Sequence, residues 1–117
     1  MTKHLESGRF GENLALNYLR NNGYEILKVN WRYKYWEVDI IAKEGIYLVL
    51  VEIKSRKSNL FGEPANFVDD KKQKNLIQAA EAYLEVNNYE GEIRFDIVSV
   101  YLDSDKIELI KDAFWSN

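Results

Sequence analysis

Glu52 and Lys54 stand two apart in an apolar run of strand-forming residues that begins near Ile46. On a strand, that spacing sends both side chains out of the same face. Asp39 occupies the preceding run, Glu37 to Lys43, and Glu44-Gly45 turns the chain tightly between the two. A hairpin closed there pairs positions summing to roughly 89 to 91, which sets Asp39 opposite Val51 or Glu52. Carboxylates that close repel one another unless a cation lies between them. Facing the same side, they are near enough to share one divalent metal. Phosphodiester cleavage is chemistry that needs such a metal, because an anionic nucleophile must attack an anionic substrate. A metal held by two or three carboxylates lowers the pKa of a bound water and neutralises the developing charge. Magnesium takes oxygen ligands and keeps several waters, so few protein ligands suffice. A neighbouring ammonium can orient the water and stabilise the transition state.

The elements that must position these groups follow from periodicity. A first helix is predicted from about Leu5 to Asn22, with Gly8, Gly11, Leu14, Ala15, Tyr18 and Leu19 on one face and Gly23 as its C-terminal cap. Glu12 projects from the edge of that small and apolar face, an unusual place for a carboxylate. Tyr24 to Trp31 alternates as a strand with one wet face, and Arg32 to Trp36 reads as a polar-aromatic connection. Glu37–Lys43 and Ile46–Arg56 form the hairpin. Ser55 to Ala65, with Gly62 and the only proline, Pro64, reads as a loop. A second helix is predicted from about Asp69 to Asn87, its acidic start suiting the helix dipole and its core stripe running through Leu76, Ala80 and Leu84. Strands over Ile93–Leu102 and Lys106–Ile110, turning at Asp103-Ser104-Asp105, complete the order αβββαββ. The fold class is therefore α/β, a three-layer-like single domain over residues 1–117 with a mixed sheet of about five strands and two helices packed on it.

Bulk properties narrow the choice of partners. The chain has 117 residues, 46% of them hydrophobic and 30% charged, as in an ordinary globular domain. It has no cysteine, which excludes disulfides and thiolate metal sites. Met1 to Phe10 lacks an apolar signal core, and the longest apolar run, Ile46 to Val51, is far short of a membrane span. The expected location is the cytoplasm, with no membrane partner. The net charge of −3 is uneven. Between Arg32 and Lys74 nine Lys and Arg face seven Asp and Glu, while the remainder holds seven against twelve. A bulk negative charge weighs mildly against nucleic acid, whose phosphates favour clustered cations.

The run of Glu12, Glu37-Val38-Asp39 and Glu52-Ile53-Lys54 resembles the PD-(D/E)xK nuclease superfamily, with Val38 standing where the name has proline. The helix carboxylate is similar to that of archaeal Holliday-junction resolvases. A fuller resemblance is to the YraN family of small bacterial proteins. It runs through Gly11-Glu12, Gly23-Tyr24-Glu25-Ile26-Leu27, Asn30-Trp31-Arg32 and the two strand motifs. It continues through Gly62, Pro64, Lys72-Gln73, Ala79-Ala80, Arg94-Phe95-Asp96 and Asp112-Ala113-Phe114. The resemblance implies a restriction-endonuclease-like core in which Glu12, Asp39 and Glu52 are ligands of Mg²⁺ or Mn²⁺. Lys54 would position water or act as an electrostatic catalyst. The implied function is a metal-dependent endonuclease acting on nucleic acid, with DNA, branched or damaged, as the favoured substrate. A homodimer would supply the two sites a junction resolvase needs. The alternative reading is a nucleic-acid-binding or protein-interaction module that keeps the fold without turnover, or a subunit that cleaves only within a partner complex.

Other residues offer supporting roles. Lys72 and Gln73, at the start of the second helix, could approach a phosphate or a metal-bound water. Arg56 and Lys57 follow the catalytic strand and could neutralise substrate phosphates. Arg32 and Lys34 interleave with Trp31, Tyr33, Tyr35 and Trp36, a pattern able to stack unpaired bases, with the Tyr33–Trp36 stretch as the candidate. Arg94 and Asp96 share a strand face and read as a structural ion pair. The lone histidine, His4, has no assigned role.

Overall fold

The structure, a computed structural model, describes residues 3–56 and 68–114, with side chains described from residue 9 onward. Its elements follow the expected order: α1 (Lys3–Asn21), β1 (Glu25–Tyr33), β2 (Trp36–Glu44), β3 (Tyr47–Arg56), α2 (Asp70–Asn87), β4 (Glu92–Tyr101) and β5 (Lys106–Ile110). The loop expected over Ser55–Ala65 lies outside the described residues from position 57, and with it Lys57, Gly62 and Pro64. The side chains of His4 and the N-terminal residues to Gly8 also lie outside.

The five strands form one sheet in chain order, antiparallel throughout except for β3 and β4. A parallel pair needs a crossover, and α2 lies in the chain that connects these two strands. The helices cover opposite faces. Ala15, Leu16 and Leu19 of α1 pack on Ile40, Val49, Val51 and Val98. Leu76, Ala79, Ala80 and Tyr83 of α2 pack on Val38, Ile41, Leu48, Leu50 and Phe95. The three interior strands, β2, β3 and β4, are thus covered on both sides, which explains the unbroken apolar run of β3. No described helix is long and apolar enough to cross a membrane.

Local chemistry sets the element ends. At Gly23, with φ of 89°, α1 closes in a left-handed cap in which Gly23 N–H donates to the Arg20 carbonyl at 3.2 Å and Tyr24 N–H to the Leu19 carbonyl at 3.0 Å. Asp69 caps α2 by accepting from the Lys72 backbone N–H at 2.8 Å. The expected connection over Arg32–Trp36 is instead a tight hairpin. β1 runs on to Tyr33, β2 starts at Trp36, and Lys34-Tyr35 alone makes the turn, with Lys34 at φ 57°. The Tyr33 and Trp36 rings lie opposite each other with centroids 6.4 Å apart and a 16° interplanar angle, a cross-strand pair that extends the ladder.

The end of the sheet where β3 and β4 begin is fastened by a buried ionic network. The Arg94 guanidinium forks the Asp96 carboxylate at 2.9 and 2.8 Å and reaches Glu44 at 2.7 Å. The Tyr24 hydroxyl donates to Asp96 at 2.7 Å and accepts from Arg94 at 3.0 Å, while Asp112 N–H donates to Asp96 at 3.0 Å. Burial and the Asp96 carboxylate raise the Tyr24 pKa, so its hydroxyl stays a protonated donor. The structural reading of Arg94 and Asp96 therefore holds.

Gly11 is where α1 approaches β3 most closely: a β-carbon built there would overlap the Ser55 hydroxyl, while the Ser55 β-carbon would sit at ordinary contact, 3.5 Å. Gly11→Ala gains about 1 kcal/mol of helix propensity but must displace that hydroxyl. Chemical denaturation of the four members of a Gly11→Ala/Ser55→Ala cycle should show Gly11→Ala more favourable in the Ser55→Ala background than alone. Additive behaviour would mean the two residues do not touch.

Candidate metal centre

β2 and β3 pair from Glu44↔Tyr47 to Ile40↔Val51, and the next positions in that register are Asp39 and Glu52. The turn at Glu44-Gly45 thus delivers the predicted opposition. Beyond it the strands part, and Asp39 Oδ2 accepts the Ile53 backbone N–H at 2.8 Å. The carboxylate takes a donor that a continuing ladder would have used, which fixes its orientation by a charge-assisted bond.

A second irregularity coincides with this point. Flanking pairs Val29↔Ile40 and Trp31↔Val38 set Asn30 opposite Asp39, and Asn30 is left-handed at φ 51°. Val38 packs in the α2-side core while Ile40 packs in the α1-side core, so strict alternation breaks between them. Asparagine is one of the few residues that tolerates this conformation. Its side chain also reaches across to α1, where Asn30 Nδ2 donates to Glu12 Oε2 at 3.2 Å.

Glu52 and Lys54 continue the α2-facing side of β3 set by Leu48 and Leu50. The Glu52 side chain retains only 13% of its exposure, lies within hydrogen-bonding reach of the Asp39 carboxyl, and meets Lys72 Nζ of α2 at 3.3 Å. Burial, then the Asp39 carboxylate, push its pKa up to about 8, against an opposing pull from Lys72. Glu52 therefore gives up its proton less readily than an ordinary carboxyl. A divalent cation would supply the positive charge in its place. Two half-buried oxygen-donor side chains facing each other, one oriented by a backbone N–H, suit Mg²⁺ or Mn²⁺.

The remaining expected site residues divide clearly. Glu12 stands apart: among the described residues no three His, Cys, Asp or Glu side chains are grouped closely enough to hold a metal together. Its hydrogen bond partner is Asn30 of β1, across from Asp39. Lys72 does reach the site. Gln73 is spent on the chain entering α2, its Nε2 donating to the Val68 carbonyl at 2.8 Å. Arg56 lies 5.5 Å over the Tyr101 ring, two residues past Lys54. Arg32 pairs with Glu37 at 3.1 Å on the outer hairpin, and Lys34 sits at the hairpin tip.

Every residue of this arrangement falls inside one family match. The model described as "Uncharacterised protein family UPF0102" covers residues 11–100. The chain belongs to this family. It is the YraN family that the motifs resemble. Similar UPF0102 proteins occur in Christiangramia forsetii, 44% identical over 117 residues and 98% of each chain, and in Chlorobium chlorochromatii, 45% identical over 118 residues, covering 94% of this chain and 92% of that one. Another, from Caldicellulosiruptor bescii, is 46% identical over 113 residues, covering 92% of this chain and 95% of that one. These matches span UPF0102 chains nearly end to end.

The raised Glu52 pKa has a consequence for stability. A carboxyl whose folded pKa exceeds its unfolded value binds its proton more tightly when folded, so the associated stability is full below about pH 4.5 and lost as pH rises through about 8. Metal-free thermal melts should therefore show wild type losing stability relative to Glu52→Gln across that window, with added Mn²⁺ restoring it. Parallel pH profiles for the two proteins would place the Glu52 pKa near its ordinary value.

Proposed function

We propose that this UPF0102 chain is a metal-dependent nuclease of the PD-(D/E)xK type. The single observation that carries the reading is the contact between Asp39 and Glu52 at the point where β2 and β3 part. Two half-buried carboxyls set this close disfavour joint ionisation, a tension that a divalent cation between them would relieve. Bound there, Mg²⁺ or Mn²⁺ would activate water and neutralise charge on the scissile phosphate.

The chain's own residues divide the remaining work. Asp39, held by the Ile53 N–H, and Glu52 supply the carboxylate oxygens. Lys54 shares the face of Glu52 and is placed to orient the attacking water and stabilise charge at phosphorus. Lys72 offsets the negative pair, and when a cation takes over that task its ammonium becomes available to a substrate phosphate. Glu12 acts on the site through Asn30, holding the left-handed residue opposite Asp39, and is a positioning residue in this reading. Nucleic acid is the substrate class, with branched or damaged DNA favoured and a homodimer required only if two strands are cut together. A second reading, a binding module without turnover, draws support from the net charge of −3.

Purified wild-type protein with Mn²⁺ or Mg²⁺ should nick at least one substrate in a panel of junction, flap, single-stranded and duplex DNA and RNA. Glu52→Ala and Lys54→Ala should each lose at least about a hundredfold, as expected when metal binding or transition-state charge stabilisation is removed. Cleavage that persists in both variants comes from a contaminant and sinks the proposal. Salt-sensitive binding that survives EDTA and Asp39→Ala, with no cleavage, favours the second reading.

A further inference from the structure

A groove of about 530 Å³ runs between the β1–β2 hairpin tip and α2. One wall is aromatic: Tyr33 and Trp36, whose rings lie nearly parallel. The other is a single face of α2, where Gln78, Glu81, Ala82, Glu85 and Val86 recur at helical spacing. The Trp36 indole N–H donates to Gln78 Oε1 at 2.9 Å and ties the walls together. Val86 is 55% exposed and Tyr35, at the hairpin tip, 97%. None of these residues belongs to the metal centre.

The charges in the groove decide what can occupy it. Glu81 and Glu85 are exposed, one helical turn apart, and neither forms an ion pair among the described residues. Like charges at that spacing disfavour the helix, so the sequence carries a small cost with no return inside the fold. A phosphate brought into the groove would meet two carboxylates against the single ammonium of Lys34, which argues against the base-stacking role expected of this aromatic stretch. A neutral apolar peptide would leave both carboxylates unanswered. A cation suits every wall, and the chain itself illustrates this, since Lys34 Nζ lies 5.3 Å over the Tyr33 ring. Arginine fits better than lysine, because a planar guanidinium stacks on parallel rings while its fork engages carboxylates.

We propose that this groove docks an arginine-bearing segment of a basic partner protein, with the guanidinium stacked on Trp36 or Tyr33 and paired to Glu81 and Glu85. The inference is independent of the nuclease reading. If both hold, the partner contributes the positive surface that a chain of net charge −3 lacks for holding nucleic acid.

The test follows the Trp36 indole N–H by NMR in the full chain, assigned with Trp36→Phe. The probes are Ac-Gly-Arg-Gly-Arg-Gly-NH₂, its lysine counterpart, and a single-stranded oligothymidylate. The arginine peptide should shift the resonance and bind roughly tenfold more tightly than the lysine peptide, the scale of one stacked and forked contact. Glu81→Gln/Glu85→Gln, both at exposed positions, should weaken it about tenfold or more. Lys34→Ala should tighten it by removing a competing cation. Equal binding of the two peptides, or of the double variant, reduces the effect to diffuse charge and overturns the proposal. A shift caused by the oligothymidylate and weakened by Lys34→Ala would assign the groove to nucleic acid. A shift that grows with protein concentration alone would assign it to a second copy of the chain. Either result overturns it.

Discussion

The Asp39 and Glu52 carboxyls meet where β2 and β3 stop pairing, and their mutual repulsion is the constraint around which the neighbourhood is organised. Each nearby feature answers it. The Ile53 N–H binds one carboxylate, Lys72 offsets the other, and burial favours a proton over a naked charge pair. The left-handed Asn30 and the loss of alternation between Val38 and Ile40 accompany the same point. Strained backbone and like charge thus collect at one location, and the proposed cation would answer the charge.

The opposite end of the sheet makes the contrast plain. There Arg94, Asp96, Tyr24, Glu44 and Lys111 bring buried charges together as well, but with opposite signs and a full set of hydrogen bonds. No described buried side-chain polar atom is left without a partner. That network asks for nothing further and serves to fix the strand ends. Beyond it only β2 and β3 separate, while β1–β2 and β3–β4 stay paired to their ends.

Much of this was legible in the residues. Glu44-Gly45 between two β-branched runs specifies a tight hairpin, and a tight hairpin fixes register, so Asp39 and Glu52 could be paired by counting. Strand parity put Glu52 and Lys54 on one face, and helical spacing put Gly11 on the apolar face of α1, where it meets Ser55. The remainder depended on tertiary geometry. Lys72 is remote in sequence and reaches Glu52 only because the crossover lays α2 over that face. Asn30 carried no signal beyond its tolerance of left-handed backbone, so its hydrogen bond to Glu12 could not be foreseen. The Lys34-Tyr35 turn has no glycine or asparagine to mark it, so two paired strands read as a loop. Glu81 and Glu85 resembled any solvated helix face until the hairpin closed over them.

The central claim is that Asp39 and Glu52 hold a divalent cation, and anomalous diffraction from a crystal soaked in Mn²⁺ tests it without relying on any substrate. A manganese peak is expected within about 2.0–2.2 Å of oxygens from both residues, with Lys72 Nζ drawn away from Glu52. A crystal held at millimolar Mn²⁺ that keeps the Lys72–Glu52 ion pair and shows no anomalous peak between the two carboxyls would contradict it.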